Sequence, residues 1–177
     1  IELYCPNVRT ELKSIDYTDP GLIKRIRGSA ISTKLVSTSQ TARVAYAAKG
    51  ILHRLLPDVW IHTDAHTMTN HQCGPSPSLS VVLTAVSTTG VVLTCECTRH
   101  DAERPEDLGA RGAVTLLEEV KKGGCIDTTL QSLALLWMCV TPEDVSRIRL
   151  GTLSQYTIGS LRLLKQAFGV EFKVTPD

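Results

Sequence analysis

The chain has 177 residues, of which 42% are hydrophobic, and its formal net charge is +1. This hydrophobic content is enough for a core and too low for a membrane protein, and no apolar run approaches the roughly 20 residues that span a bilayer. The near-neutral charge excludes a globally basic nucleic-acid binder, so any basic surface must be local.

The start of the chain has the features of an internal segment. It begins with Ile rather than Met, has no signal-peptide pattern and opens on IELYCP, which is typical of a strand. We therefore expect a piece of a longer protein. Residues 1–18 are predicted to form one or two short strands, followed by a turn at TDPG. The stretch LIKRIRGSAIST then predicts a strand that Gly28 interrupts.

The middle of the chain predicts a compact β-α-β-β unit over residues 29–97. TSQTARVAYAAKGILHRLL keeps apolar residues at a spacing of three to four, which predicts a helix that stops before Pro57. DVWIHT predicts a short strand. LSVVLTAV and VVLTCEC flank STTG, which predicts a β-hairpin.

The last part of the chain predicts two helices, a strand, a helix and a strand. Pro105 suits a first helical turn, and Gly123 suits the residue just after a helix end. Asp127 or Thr128 can cap the next helix, whose apolar residues lie nearly all round and predict burial on both sides. SRIRLG, YTIGSLRLLKQAFG and VEFKV complete the series, and the whole pattern indicates an α/β (α+β) fold.

The six cysteines are irregularly spaced and contain no C-x-x-C pair, which favours reduced core residues over disulfides. His62, His66, His71 and Cys73 are zinc ligands by type. Their spacing lacks the tight pairs of a structural zinc site. We therefore favour a polar surface loop and expect no metal.

Several basic residues are candidates for contact with RNA phosphates, although each also suits a solvated surface. Arg162 and Lys165 lie three residues apart on a predicted helix and are the first choice for RNA contact or residual chemistry. Trp60 and Tyr156 can stack a base or simply pack. The other basic candidates are Lys24, Arg25, Arg27, Arg147 and Arg149.

Several long blocks together resemble the RNA 3′-terminal phosphate cyclase superfamily, in its cyclase-like, ribosome-biogenesis branch. They include TDPGLIKRIRG, PDVWIHTD, PEDLGARGAVTLLEEVKKGGCIDTTLQSLALLWM and DVSRIRLGTLSQYTIGSLRLLKQAFGVEFKV. The resemblance implies a large domain of repeated units, each with two helices on a four-stranded sheet, and a small inserted α/β domain. It places 1–28 in the large domain, 29–100 in the insert and 101–177 in the last repeat.

On this resemblance the chain is a partial copy that lacks the N-terminal half. Sheets without their partner strands leave open edges and exposed apolar faces. We therefore expect these residues to be stable only with the rest of the protein present.

The resemblance also indicates whether the residues needed for the cyclase reaction are present. Aligned on the family, GTLSQYT puts Ser154 where the cyclases carry a nucleophilic histidine, and Gln131 falls at an acidic position. Serine cannot replace imidazole without a base, so adenylate transfer is not expected and no cofactor is implied. Asp127 is then better explained as a helix cap.

Three functions follow as expectations from the resemblance. The first is a non-cyclising factor in nucleolar small-subunit (18S) pre-rRNA processing, bound to a ribosome-assembly GTPase, pre-rRNA and snoRNP within the small-subunit processome. The second is a pre-rRNA endonuclease that uses Arg162 and Lys165. The third, an ATP-dependent cyclase, conflicts with Ser154.

Overall fold

The computed structural model describes residues 2, 4, 6, 12–34, 36–66, 73, 76–141 and 145–176. Within these residues the chain forms two sheets and four helices. In chain order the elements are β1 (Asp16–Tyr17), β2 (Ile23–Thr33), α1 (Thr38–Leu52), β3 (Val59–His66), β4 (Ser78–Ser87), β5 (Val92–Thr98), α2 (Pro105–Lys121), α3 (Gln131–Val140), β6 (Arg147–Ile148) and α4 (Gln155–Phe168).

The larger sheet has four strands in the order β3-β2-β4-β5. β2 and β3 run parallel and are joined through α1, whereas β4 pairs antiparallel with both β2 and β5. Strand side chains alternate between faces, and on β4 every second residue is buried. The predicted β-α-β-β unit and its hairpin are confirmed.

Both α1 and α2 pack against this sheet, and their contact with each other is close. A Cβ at Gly109 of α2 would lie 2.3 Å from the carbonyl oxygen of Val44 on α1, so only glycine allows this approach. Leu108 and Leu116 are fully buried in the same core. Burial of each such leucine contributes about 1.5–3 kcal/mol.

Gly28 does not interrupt β2, contrary to the prediction. The strand is continuous, and Gly28 lies opposite Leu83 of β4. A Cβ at Gly28 would lie 2.6 Å from both a methyl group of Leu83 and the carbonyl oxygen of Val82. The glycine therefore allows close packing inside the sheet rather than ending the strand.

The smaller sheet consists of β1 and β6, which pair in parallel. The same part of the chain contains α3 and α4, which pack on each other. The prediction that α3 is buried on both sides is wrong for the described residues, because only Gln131 and Leu135 of this helix are buried. Large apolar side chains are exposed on it instead, namely Leu133, Leu136, Trp137 and Val140.

The end of the chain also differs from the prediction. Residues 169–176, which include VEFKV, form no strand. Alternating side chains favour an extended backbone, but a strand also needs a neighbour to satisfy its N–H and C=O groups. On α4, Phe168 is 47% exposed, whereas Leu164 is buried.

The expected division of the chain at 28/29 and 100/101 stays a prediction. β2 runs through the first of these points, and α2, beyond the second, packs on α1 and on the larger sheet. Among the described residues no helix is long and apolar enough to cross a membrane.

Candidate functional site

The starts of α3 and α4 are brought together by two chain segments that cross in close contact. A Cβ at Gly124 would lie 2.4 Å from the backbone nitrogen of Gly151, so the two backbones touch where both residues are glycine. Next to this contact, the Cys125 N–H donates to the carbonyl oxygen of Arg149 at 2.8 Å. The glycine pair that opens GGCIDTTL therefore positions the segment leading to α3 beside the segment leading to α4.

Gln131, the first residue of α3, is 1% exposed and uses both ends of its side-chain amide. Its Nε2 donates to the carbonyl oxygen of Thr152 at 3.3 Å, and its Oε1 accepts from the hydroxyl of Thr157 at 2.8 Å. Because a carboxylate has no donor for the Thr152 carbonyl, the amide suits this position and an ionised acid would not.

Ser154 is the N-cap of α4. Its Oγ accepts from the backbone N–H of Thr157 at 3.1 Å, as helix-capping serines do. The same Oγ lies 2.8 Å from Oγ1 of Thr157. The predicted degenerate positions Ser154 and Gln131 are therefore connected through Thr157, which is fully buried.

The direction of the protons in this chain of hydrogen bonds follows from the donors available. Thr157 has one hydroxyl proton and gives it to Gln131, so the 2.8 Å contact with Ser154 is made by the Ser154 proton. The order is Ser154 to Thr157 to Gln131 to the carbonyl oxygen of Thr152. Every member is a neutral group, and none of them is a base.

This arrangement makes Ser154 a poor nucleophile. An activated serine hydroxyl gives its proton to a base, most often histidine, within about 2.6–3.2 Å. Here the proton is held by another hydroxyl. The four described histidines, His53, His62, His66 and His100, all belong to the sheet unit with α1 and α2 rather than to α3 or α4.

Asp127 is fully occupied in a structural role. Its Oδ1 accepts from the backbone N–H of Leu130 and from the hydroxyl of Thr129. Its Oδ2 accepts from the backbone N–H and the hydroxyl of Thr94 on β5, at 3.2 and 2.8 Å. It therefore holds the turn that precedes α3 and ties that turn to the edge of the larger sheet. The predicted helix cap is wrong, because the N-cap of α3 is Leu130 and no side chain caps it.

Arg162 and Lys165 lie on the exposed side of α4. Lys165 pairs with Glu171, with Nζ 2.5 Å from Oε1. Arg162 follows Ser154 by eight positions, which corresponds to a rise of about 12 Å along a helix. None of the hydrogen bonds or ion pairs found among the described residues joins either cation to Ser154, Thr157 or Gln131.

The other basic candidates are divided between the two sheets. Arg147 and Arg149 are exposed and flank the half-buried Ile148, as the alternation predicts. On β2, Lys24 and Arg25 are exposed, whereas Arg27 forms a two-pronged ion pair with Asp58. The structure therefore does not bring all the predicted RNA contacts to one surface.

The buried cysteines fit the simpler of their two interpretations, whereas the surface loop predicted for the histidines is wrong for His62 and His66, which lie on β3. Cys95 and Cys97 are buried and free. Burial raises the pKa of the Cys95 thiol to about 12, so it stays protonated and unreactive. Across the parts of the chain that the structure describes, no three His, Cys, Asp or Glu side chains are placed to hold a metal ion. His71 lies outside the described residues.

An open groove runs beside this cluster, between β6, α3, α4 and residues 170–176. Its volume is about 1010 Å³, and apolar side chains such as Leu135, Met138 and Leu161 line it together with Phe172. The lining also includes charged residues such as Arg147 and Glu171, so the cluster of Gln131 and Thr157 lies beside an open groove of mixed polarity.

Sequence reasoning missed Thr157, which connects the two recognised positions. The available signal was the spacing in SQYT, because a serine cap usually bonds the N–H three residues later. That spacing indicates the capping contact. It does not indicate the second hydrogen bond, to a side chain 26 residues earlier in the chain.

Comparison with known sequences identifies the class of protein. A sequence model of the RNA 3'-terminal phosphate cyclase (RTC) insert domain matches residues 18–121, the range that contains the larger sheet with α1 and α2. The chain therefore belongs to the RNA 3'-terminal phosphate cyclase family.

Within this family the relatives are cyclase-like proteins. The chain is 46% identical over 175 residues to the RNA 3'-terminal phosphate cyclase-like protein of Homo sapiens, covering 96% of this chain and 46% of that protein. It is 42% identical over 192 residues to the probable RNA 3'-terminal phosphate cyclase-like protein of Dictyostelium discoideum, covering 100% and 51%.

A fission-yeast relative has a functional name. The chain is 35% identical over 176 residues to the rRNA processing protein rcl1 of Schizosaccharomyces pombe, covering 98% of this chain and 47% of that protein. The chain thus spans about half the length of the curated relatives it matches.

Proposed function

We propose that this chain is part of a cyclase-fold factor in ribosome biogenesis that acts in small-subunit (18S) pre-rRNA processing and forms no cyclic phosphate. The fission-yeast relative named as an rRNA processing protein supports the biological role. The observation that carries the loss of cyclase chemistry is the neutral hydrogen-bond chain from Ser154 through Thr157 to Gln131.

The chemistry of adenylate transfer explains why this observation matters. A covalent nucleotide intermediate needs a nucleophile with a free lone pair at neutral pH. The Ser154 oxygen accepts from a backbone N–H, and its proton is directed to a hydroxyl that has no capacity to act as a base. The site is therefore built to hold α3 against α4 rather than to carry adenylate.

The surroundings of the proposed factor are part of the same proposal. It acts in the nucleolus within the small-subunit processome, with a ribosome-assembly GTPase, pre-rRNA and snoRNP as partners. The proposal also includes a structural point: additional chain of the full-length protein covers α3. The exposed apolar residues of this helix support it. The full-length protein is one as long as these relatives.

The proposal is tested by depletion and complementation. Loss of the full-length protein is expected to accumulate 18S precursors, seen by RNA hybridisation, while large-subunit rRNA matures normally. Unchanged 18S precursors would overturn the proposal. The purified full-length protein is expected to take no label from radioactive ATP, beside an active cyclase as positive control. Labelling that Ser154→Ala removes would restore the cyclase reading.

A pre-rRNA endonuclease is the second candidate, and one observation favours it. Among the described residues Arg162 forms no ion pair, so its guanidinium is available to a phosphate. The test is cleavage of a pre-rRNA segment by the full-length protein, with Arg162→Ala/Lys165→Ala as the variant and Gln166→Ala as the matched control on the same helix. Specific cutting that only the double variant loses would replace the assembly role with a catalytic one.

A further inference from the structure

The larger sheet has a second face, opposite α1 and α2, that carries an exposed tryptophan. Trp60 lies between the buried residues Val59 and Ile61 on β3, so its side chain points away from the helices. It is 66% exposed. An indole exposed to this degree adds little to the stability of the fold, so packing does not explain it.

Cations surround this indole on two sides. Arg27 of β2 is the strand partner of Trp60 and points to the same face. Lys49, from α1 on the other side of the sheet, brings Nζ to 5.8 Å from the centre of the Trp60 ring. This distance is within the range of a cation–π contact.

The cations near Trp60 outnumber the nearby carboxylate, Asp58, so the local charge is positive. Arg27 holds both oxygens of Asp58, at 2.8 and 3.1 Å. The pKa of the Asp58 carboxyl is lowered, chiefly by the hydrogen bond from Arg27 and further by the charges of Arg27 and Arg25. Asp58 is therefore ionised and paired with Arg27. The positive charges of Arg25 and Lys49 remain available to an anion.

The neighbouring residues on this face have short side chains, both polar and apolar. Ser29 and Thr84 lie on β2 and β4, with Val82 opposite Ser29 and Val86 opposite Arg25. Thr94, opposite Thr84 on β5, is bound by Asp127 and marks the limit of this surface. These short side chains leave a flat surface beside an exposed ring, and Lys49 lies over one face of that ring. Flat stacking surfaces beside positive charge are typical of proteins that bind single-stranded nucleic acid.

We propose that this face binds single-stranded RNA, with one base stacked on Trp60 and the adjoining phosphates contacted by Arg25 and Lys49. Charge complementarity favours RNA over a protein partner, because Arg25, Arg27 and Lys49 lie around Trp60 while Asp58 pairs with Arg27 alone. The other two carboxylates that the structure describes on this face, Asp64 and Glu96, lie further along the strands. The identity of the natural RNA rests on the proposed function, whereas the binding itself does not. The surface lies on the insert domain, away from Ser154 and α4.

The test is the affinity of the full-length protein for a fluorescein-labelled single-stranded oligoribonucleotide, measured by anisotropy at about 0.1 M salt. Trp60→Ala is expected to weaken binding by about 5- to 100-fold, the effect of losing one base stack. Trp60→Phe should retain most of the affinity. Arg25→Ala should weaken binding and reduce its salt dependence, because one phosphate contact is lost.

A matched control comes from the helix side of the same domain. Lys121 of α2 is exposed and lies on a different helix from Lys49, so Lys121→Ala removes a cation without removing any residue of the patch. It is expected to leave RNA affinity unchanged. Thermal unfolding of each variant shows whether the fold is intact.

Unchanged affinity in a folded Trp60→Ala variant would overturn this surface. Equal loss of affinity for a duplex of the same sequence would also overturn it, because base stacking requires an unpaired base. A variant that keeps RNA affinity but loses a protein partner would assign the face to that partner instead. The depletion experiment measures 18S precursors and does not depend on RNA affinity at Trp60. A negative result for this surface would therefore leave the proposed function standing.

Discussion

Thr157 donates its hydroxyl proton to Oε1 of Gln131 across 2.8 Å, and this contact joins the first turn of α4 to the first residue of α3. Both side chains are buried, at 0% and 1% exposure. The family resemblance places one lost catalytic position at each end of this link, at Ser154 and Gln131. The side chains at these two positions are therefore engaged in hydrogen bonds within the protein, through Thr157, rather than directed at a substrate.

Replacing the hydroxyl of Thr157 tests the strength of this link. Thr157→Val keeps the shape and leaves Oε1 of Gln131 and the proton of Ser154 without a partner. Each unsatisfied buried group costs about 1–3 kcal/mol, so we expect the free energy of unfolding to fall by about 2 kcal/mol. Denaturant unfolding of the full-length protein measures it, with Thr115→Val on α2 as the control. A loss no larger than the control would contradict the link.

The buried carboxylate of Asp127 gives a second prediction. Asp127→Asn keeps one oxygen acceptor but places an amide where the carboxylate met four donors. We expect a loss of about 2–3 kcal/mol, together with faster hydrogen exchange at the N–H of Thr94 and that of Leu130. Asp101→Asn, in an exposed turn, is the matched control. Unchanged exchange at Thr94 would show that Asp127 does not hold the sheet edge.

The fold was predictable where buried residues recur inside one unit. The buried alternate residues of β4 and the apolar side chains of α2 pack in the same core, and both elements were predicted correctly. The burial of α3 and the strand at VEFKV were not, because an apolar pattern shows that a segment favours burial without showing what buries it. Trp137, at 42% exposure, is the plainest example.

The candidate site was predictable only in part, for a related reason. Family resemblance marked Ser154 and Gln131, and both lie in the cluster. Thr157 was not marked, because a β-branched residue in a first helical turn has the pattern of a core residue. The link depends on how the segments at Gly124 and Gly151 cross, a tertiary contact without a local sequence pattern.

The ion pair between Glu103 and Arg111 gives a pH-dependent prediction. The hydrogen bond from Arg111 is the main cause that lowers the pKa of Glu103 from 4.5 to about 2. A carboxyl group whose pKa is lowered on folding stabilises the fold above its unfolded pKa. This contribution is lost as the pH falls from about 4.5 towards about 2.

Glu103→Gln is therefore expected to reduce the free energy of unfolding by about 1–2 kcal/mol at pH 6, after allowance for solvent screening at Arg111. The difference from the unmodified protein should shrink as the pH falls to about 2. Denaturant unfolding at several pH values measures it. Glu118→Gln on the exposed side of α2 makes the same change in charge as a control. A difference independent of pH would show that the pair does not titrate as described.

The contact between Gly124 and Gly151 predicts opposite outcomes for two glycine-to-alanine changes. In Gly124→Ala the new methyl would lie 2.4 Å from a backbone nitrogen that cannot move alone, so the crossing must open. We expect a loss of at least about 2 kcal/mol and disruption of the Cys125 to Arg149 hydrogen bond, read by hydrogen exchange. Gly159→Ala adds a methyl where nothing lies within 4 Å, inside α4.

That second change should raise the free energy of unfolding by about 0.5–1 kcal/mol, because alanine loses less entropy in a helix than glycine. The pair thus separates the general effect of a methyl group from the specific demand of the crossing. If both variants were stabilised, the two segments would not be in contact. The starts of α3 and α4 would then not be held together by their backbones, and the link from Thr157 to Gln131 would have to position them alone.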